Sequence, residues 1–70
     1  MIKIFDDGSN SFIRFEASVE DLDNLAGYGP TEKDAILDLK KQIQYISFKL
    51  LNVDYSKVIY VNEDGIELKG

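Results

Sequence analysis

Residues 27–43 read GYGPTEKDAILDLKKQI, and this stretch decides the fold because it marks both the end of a strand and the start of the one long helix. Leu25–Tyr28 is predicted to form a short third strand. Gly29 and Pro30 end it, since proline has no N–H to give to a strand ladder. Thr31 then begins the helix, so a strand–turn–helix unit is predicted here.

The predicted helix spans Thr31–Leu51. The Thr31 hydroxyl can accept the backbone N–H of Asp34, whose carboxylate can reach back in a capping-box arrangement. Glu32 and Asp34 also place negative charge in the first turn, where the helix dipole favours it. Apolar residues then recur at the three- and four-residue spacing of an amphipathic helix. They are Ala35, Ile36, Leu39, Ile43, Ile46 and Leu50.

Two runs of alternating apolar and polar residues precede this unit. Met1–Phe5 and Ser11–Ser18 are predicted strands, and the turn residues at 6–10 between them predict a β-hairpin. Phe5 and Phe12 are expected to pair across the hairpin on the face away from the core. The predicted core face of the two strands consists of Ile2, Ile4, Ile13, Phe15 and Ala17.

After the helix, Val58–Val61 is a predicted strand, 62–65 a turn, and Ile66–Lys69 a segment that returns antiparallel. The predicted fold class is therefore α+β. It is an antiparallel sheet of three to five short strands with one long helix packed on one face, in the order β-β-β-α-β, with or without a further strand after the last turn. Residues 1–70 are predicted to form a single domain.

The composition removes several kinds of site. The chain has no cysteine, which excludes a disulfide and a thiolate metal site, and no histidine, which removes the usual general base.

A core of this size rarely supplies more than roughly 3–5 kcal/mol of net stability, so association with another chain is the stabiliser that remains. No apolar run is long enough for a membrane span or a signal peptide, and a cytoplasmic protein is expected.

Charge is distributed unevenly along the chain. The net charge is −5, but residues 1–39 carry nine acidic and three basic residues, whereas residues 40–70 carry four acidic and five basic ones. Binding a nucleic acid requires clustered lysine and arginine, and the chain has a single arginine, so no nucleic-acid partner is expected. The acidic half is either ordinary solubilising charge or a face that meets a basic partner by imitating a phosphate backbone.

Three short segments together suggest a family. They are the acidic loop with Asp21-Leu22, the glycine-bearing strand Gly27-Tyr28-Gly29, and the helix start Thr31–Ile36, which has the pattern Thr-Glu-x-x-Ala. In these the chain resembles the HicB-like antitoxin family and related small phage and prophage proteins, over about residues 1–50. The family usually has a proline before the Asp-Leu pair and Pro-Gly after it, where this chain has Glu20 and Asp23-Asn24. The resemblance implies a sheet-helix fold and a binding role, without the DNA-binding extension of longer members.

The outline also overlaps with double-stranded RNA-binding domains, which combine an antiparallel sheet with helices. Those domains rely on basic residues at a helix start. Here the helix opens with Glu32 and Asp34, which have the wrong sign for a phosphate contact.

Three acidic sets could carry chemistry: Asp6-Asp7, Glu20-Asp21-Asp23 and Glu63-Asp64. None has the ligand spacing of a calcium loop, a metal-dependent hydrolase would need carboxylates that converge on one ion, and aspartate is common in turns for backbone reasons. No catalytic residue, metal ligand or cofactor is therefore predicted, and the protein is predicted not to be an enzyme.

The helix has a second apolar side. At 100° per residue, Leu37, Tyr45 and Phe48 project away from the main apolar stripe. Either the C-terminal segment covers this side, or Tyr45 and Phe48 are scattered exposed apolar residues without a role, or the side contacts a second copy or a protein partner, where aromatic residues are favoured anchors. The predicted partner-binding residues are these three together with Glu20, Asp21 and Asp23 of the acidic loop.

The sequence thus favours a small, acidic, non-catalytic interaction module of phage or prophage type. Such a module would bind and modulate a protein partner, as an antitoxin-like protein or an inhibitor of a host factor. The first alternative is an acidic mimic of nucleic acid that blocks a DNA- or RNA-binding protein. The second is a metal-dependent hydrolase. A homodimer is compatible with each, and no membrane partner is expected.

Overall fold

A computed structural model describes residues 1–20, 22, 24–46 and 53–68. The elements in it are β1 (Ile2–Asp6), β2 (Phe15–Val19), β3 (Ala26–Gly29), α1 (Glu32–Ile46) and β4 (Val58–Val61). The strands form one sheet in the order β3-β2-β1-β4, and α1 packs on one face of it. The predicted α+β class, a small sheet with one helix on one face, is confirmed.

The sheet is mixed, however, and not wholly antiparallel as predicted. β1 pairs antiparallel with β2, and β2 with β3, but β4 pairs parallel with β1. The cause is the helical crossover. The chain leaves the end of β3, returns along α1, and re-enters the sheet in the direction of β3, which is also the direction of β1.

A turn follows β4, as predicted for residues 62–65. Gly65 takes a positive φ of 79°, which glycine adopts without steric cost. The Asn62 side-chain oxygen accepts the backbone N–H groups of Asp64 and Ile66 at 2.9 and 3.0 Å. An isolated antiparallel bridge then joins Val61 to Glu67, so the predicted antiparallel return is present as a single bridge.

The β1–β2 hairpin forms, but its second strand begins later than predicted. β2 begins at Phe15 and not at Ser11, because the backbone of the preceding loop is satisfied locally. The Ser11 hydroxyl accepts the Ile13 N–H at 3.1 Å, and the Ser11 carbonyl accepts the Arg14 N–H at 3.2 Å. Such short-range bonds compete with a strand ladder. Ile13 is therefore 60% exposed, and its assignment to the core was wrong.

The predicted pairing of Phe5 with Phe12 was wrong for the same reason. Phe5 lies opposite Glu16 in the ladder, whereas Phe12 lies in the loop and is 86% exposed. A strand that starts at Phe15 leaves no ladder position for Phe12.

The core lies between the sheet and α1. Phe15 and Ile36, both predicted as core residues, are only partly buried against it, and Leu22 packs there from the acidic loop. Val19 joins the core because β2 extends one residue further than the predicted strand. The buried residues of this cluster are Ile2, Ile4, Ala17, Val19, Ala35, Leu39 and Ile43.

Thr31 caps α1, as predicted. Its hydroxyl accepts the Asp34 N–H at 3.1 Å and donates to the Asp34 carboxylate at 2.9 Å. The described helix ends at Ile46, and the rest of the predicted helix, with Leu50, lies outside the described residues. No helix in the described part of the chain is long and apolar enough to cross a membrane.

The closest approach of helix and sheet is at β3, where two glycines face α1. A Cβ at Gly27 would overlap the backbone of Ala35 and Leu39, and one at Gly29 would overlap Asp34 and Ala35. No other residue type fits these two positions without moving the helix. The glycines that marked the third strand in the sequence therefore also set the position of α1 against β3.

Candidate protein-binding surface

A shallow groove runs along one flank of α1, beside the side that packs on the core. It is open to solvent, has a volume of about 390 Å³, and is lined by Glu32, Lys33, Ile36, Leu37 and Lys40. These residues are spaced by one, three and four positions, so they lie on one side of the helix. We call this feature the α1 groove.

The centre of the α1 groove is apolar and its ends carry lysines. Ile36 is partly buried against the core, whereas Leu37 is 44% exposed. Lys33 and Lys40 stand seven residues apart, which corresponds to about 10 Å along the helix axis. The Lys40 ammonium lies 4.7 Å from the centroid of the Tyr55 ring, a cation–π contact that holds this side chain at one end of the groove.

Glu32 links the opposite end of the groove to the sheet. Its carboxylate oxygens accept the Tyr60 hydroxyl at 2.9 and 3.1 Å. This hydrogen bond, with the nearby charge of Glu32, raises the pKa of Tyr60 above its ordinary value of 10.0. The Glu32 carboxylate therefore already accepts a hydrogen bond within the chain. This bond links the first turn of α1 to β4.

Exposed apolar side chains continue the surface beyond α1. Tyr60 pairs with Ile4, a core residue, so the register places Tyr60 on the helix side of the sheet. The bridge between Val61 and Glu67 places Leu68 and Ile66 on that same side. All three are about half exposed or more. The helix side of the sheet is therefore apolar beyond the area that α1 covers.

The other flank of α1 closes the edge of β3. The Asp38 carboxylate accepts the Tyr28 N–H at 3.0 Å. The Gln42 amide donates to the Ala26 carbonyl at 2.7 Å and to the same Asp38 oxygen at 3.2 Å. The Tyr28 N–H and the Ala26 carbonyl both point away from β2, toward the position that an added strand would take. A peptide cannot extend the sheet there without displacing these side chains.

The predicted partner-binding residues are only partly placed by the structure. Leu37 is exposed in the α1 groove, and Glu20 is exposed after β2. Tyr45 belongs to α1 but its side chain is outside the described residues, as are Phe48, Asp21 and Asp23. Of the six, only Leu37 and Glu20 have described side chains, and these two are not shown in contact. The structure thus supports Leu37 as a surface residue and leaves the acidic loop a prediction.

Sequence reasoning missed the lysines of the α1 groove. Lys33 and Lys40 flank Leu37 at a seven-residue spacing, a signal that is visible in the sequence but was not read. Ile36 was assigned to the core alone, although it also lines the groove. The lysines give the groove a local positive character that the overall acidic composition hides.

One of the acidic sets that could have carried chemistry, Asp6-Asp7, serves the backbone instead. Asp6 and Asp7 accept the backbone N–H groups of Gly8 and Ser9, each at 2.8 Å, and thereby shape the hairpin loop. Within the described ranges, no cluster of three acidic side chains could hold a metal ion.

No family model matches the chain, and the comparisons with curated proteins and with solved structures found no match either. The resemblance to HicB-like antitoxins stays a prediction. Any functional proposal must therefore rest on the chain's own surfaces.

Proposed function

We propose that this chain is a small, non-catalytic module that binds a protein partner through the α1 groove. The observation that carries the proposal is the exposure of Leu37 beside Ile36 in an open concavity. Apolar side chains in such a setting are favoured contact points, because their burial removes apolar surface from water.

The charges around the groove define the partner's chemistry. Lys33 and Lys40 lie at its two ends, while Glu32 is held by Tyr60. A complementary segment would present an apolar side chain to Leu37 and carboxylates to the two lysines. An acidic, amphipathic segment of a protein fits this description.

Imitation of a nucleic acid has less support, because the carboxylates of the acidic half are largely used by the fold. A mimic needs its negative groups free for a basic partner. Those that accept hydrogen bonds from groups of this chain are Asp6, Asp7, Glu32, Asp34 and Asp38, and Glu16 does so on one oxygen while its other oxygen has no partner among the described residues. Protein binding through an apolar groove is therefore the function we propose.

An antitoxin-like or inhibitory role is compatible with this mode of binding. Such a protein acts by occupying a surface of its partner, and it needs no reactive group of its own. We include this role in the proposal on the resemblance stated from the sequence.

Substitution at Leu37 tests the proposal. The variants are Leu37→Glu and, as a matched control, Ile13→Glu, which introduces the same charge at an aliphatic residue that is exposed in the hairpin loop. Each is immobilised, exposed to a lysate of the encoding organism, and then titrated against the purified partner. We expect the parent and Ile13→Glu to bind alike, and Leu37→Glu to raise the Kd at least about tenfold, or about 1.4 kcal/mol.

Thermal melts must show that all three proteins are folded. If a folded Leu37→Glu variant retains every partner at the parent's affinity, the α1 groove is not the binding surface. A second titration at about 1 M salt, where charge pairs are screened within roughly 3 Å, separates the contribution of the lysines from that of Leu37.

A further inference from the structure

The sheet has a second face, opposite the face on which α1 packs. In the described residues Val61 is only 6% exposed on this face, whereas its other members are partly or largely exposed. Strand register assigns to it every residue that alternates with the core positions. They are Lys3 and Phe5 in β1, Glu16 and Ser18 in β2, Ala26 and Tyr28 in β3, and Ile59 and Val61 in β4. We call this the outer sheet face.

The centre of the outer sheet face is apolar. Phe5 lies beside Val61, and Ile59 lies beside the aliphatic stem of Lys3 in the β1–β4 ladder. A sheet with one face on a core and the other in water normally alternates apolar with polar residues, and here the outer positions of β4 are both β-branched aliphatics. This pattern is typical of a sheet that is covered on both faces.

The charges of this face are self-complementary. Its four strands carry one cation, Lys3, and one anion, Glu16, on a chain of net charge −5, and Glu67 adds a negative charge at the rim. The ion pair found among the described residues is Arg14 with Asp6, so neither Lys3 nor Glu16 is paired there. Glu16 accepts the Tyr28 hydroxyl at 3.1 Å on one oxygen only.

We propose that the outer sheet face binds a second copy of this chain, sheet against sheet, about a two-fold axis. Lys3 lies opposite Ser18 and Phe5 opposite Glu16, so Lys3 and Glu16 are diagonal neighbours about 7–8 Å apart. A two-fold axis through the midpoint of this diagonal places each Lys3 against Glu16 of the second copy. Two ion pairs then form across sheets stacked about 10 Å apart.

The same axis runs close to the other diagonal, from Phe5 to Ser18. The two copies of Phe5 therefore meet at the axis, with Ile59 beside them. Val61 is only 6% exposed and adds little contact area. An aromatic contact at the centre with ion pairs around it matches the usual distribution of residues in a protein interface.

Both edges of the sheet are closed, which favours stacking over sheet extension. On β3, the outward-facing Tyr28 N–H donates to Asp38 and the outward-facing Ala26 carbonyl accepts from Gln42. On the opposite edge, Leu68 donates to the Tyr60 carbonyl at 2.8 Å, so the segment after the last turn takes the outward side of β4. Association through backbone hydrogen bonds is hindered at either edge, whereas the outer sheet face can be reached without displacing these groups.

Charge exchange tests the proposal by sedimentation equilibrium. The parent is expected to be a dimer. Lys3→Glu and Glu16→Lys each place like charges across the axis and should raise the dissociation constant at least tenfold, whereas the double variant restores opposite charges and should dimerise again. Lys41→Glu and Glu63→Lys change the net charge by the same amounts at exposed residues off this face, and both should remain dimeric.

A monomeric parent overturns the proposal, as does a folded double variant that stays monomeric or single variants that dimerise like the parent. Dissociation of the dimer by Leu37→Glu instead would assign the contact to the α1 groove. A folded Leu37→Glu variant that keeps both the dimer and every foreign partner would count only against the proposed function.

A cross-linking experiment covers the case in which a charge variant fails to fold. The chain has no cysteine, so Ser18→Cys places a single thiol near the proposed axis. A short bismaleimide should link two copies of this variant rapidly. Ser56→Cys, exposed in the turn before β4, is the matched control and should link only at the rate of random collision. Equal rates for the two variants would contradict the proposed axis.

Discussion

At the scale of single residues, the hairpin loop depends on Asp6. One carboxylate oxygen accepts the Arg14 Nε at 2.7 Å and the Gly8 N–H at 2.8 Å, and the other accepts the Arg14 Nη2 at 3.0 Å. The hydrogen bond from Arg14, followed by that from Gly8, lowers the pKa of Asp6 below its ordinary value of 3.8. The ionised form is therefore stabilised by folding.

Arg14→Ala should make stability less dependent on pH in the acid range. A lowered pKa in the folded state contributes stability that is present above pH 3.8 and is lost as the pH falls through the folded value. We expect the melting temperature of Arg14→Ala to lie below that of the parent at pH 6 and the gap to close below pH 3.8. Melts from pH 2 to 7 measure this.

Lys41→Ala, which removes an exposed lysine from α1, is the control for that experiment. It should show no such closing gap. A difference between Arg14→Ala and the parent that is the same at pH 6 and at pH 2.5 would mean that Asp6 does not couple to Arg14 in solution.

At the scale of elements, the β3–α1 unit shows what the sequence could and could not predict. The Thr31 cap and the described part of the buried helix stripe follow from local chemistry and are observed, and the strand ends one residue later than predicted, at Gly29. The closing of the β3 edge by Asp38 and Gln42 could not be predicted, because it requires knowing which strand the helix lies against. Leu37 was predicted to lie outside the core. The position of Lys33 and Lys40 at the ends of a groove beside it could not be predicted, because the groove is visible only in the structure.

Gly27→Ala should disrupt this unit. The added methyl group would overlap backbone atoms of Ala35 and Leu39, which cannot turn aside as a flexible side chain can. We expect a loss of at least about 1–3 kcal/mol in the free energy of unfolding, the range for overpacked cores. Urea titration followed by circular dichroism measures it.

Ser18→Ala is the control, since Ser18 lies on the outer sheet face and its truncation meets no neighbour of α1. It should change the free energy of unfolding much less. A Gly27→Ala variant as stable as the parent would show that α1 can move away from β3 at little cost.

At the scale of the whole molecule, the fold class was predictable but the direction of β4 and the start of β2 were not. Alternation from Ser11 onward resembles a strand, yet the serine side chains satisfy the loop backbone first. Likewise, apolar pattern alone does not reveal whether a strand after a helix runs with or against its neighbour. The direction of β4 and the start of β2 both depend on the three-dimensional arrangement of the chain, which the sequence pattern alone does not show.

A matched pair of substitutions tests the resulting core. Ile43 is 5% exposed and Ile13 is 60% exposed, so the same change to alanine removes a buried side chain in one case and a loop side chain in the other. Ile43→Ala should lower the free energy of unfolding by about 2–5 kcal/mol, which leaves much of so small a domain unfolded. Ile13→Ala should change it by less than about 0.5 kcal/mol. Calorimetric melts within a degree or two of each other would contradict the assigned core.

The hydrogen bond from the Tyr28 N–H to Asp38 has a consequence for time scales. This amide points outward from an edge strand, where a free N–H would exchange its hydrogen with water as fast as one in a loop. Held by the Asp38 carboxylate, it exchanges only when this hydrogen bond opens. The deuterium uptake of one amide therefore reports how often this link between helix and strand opens, separately from global unfolding.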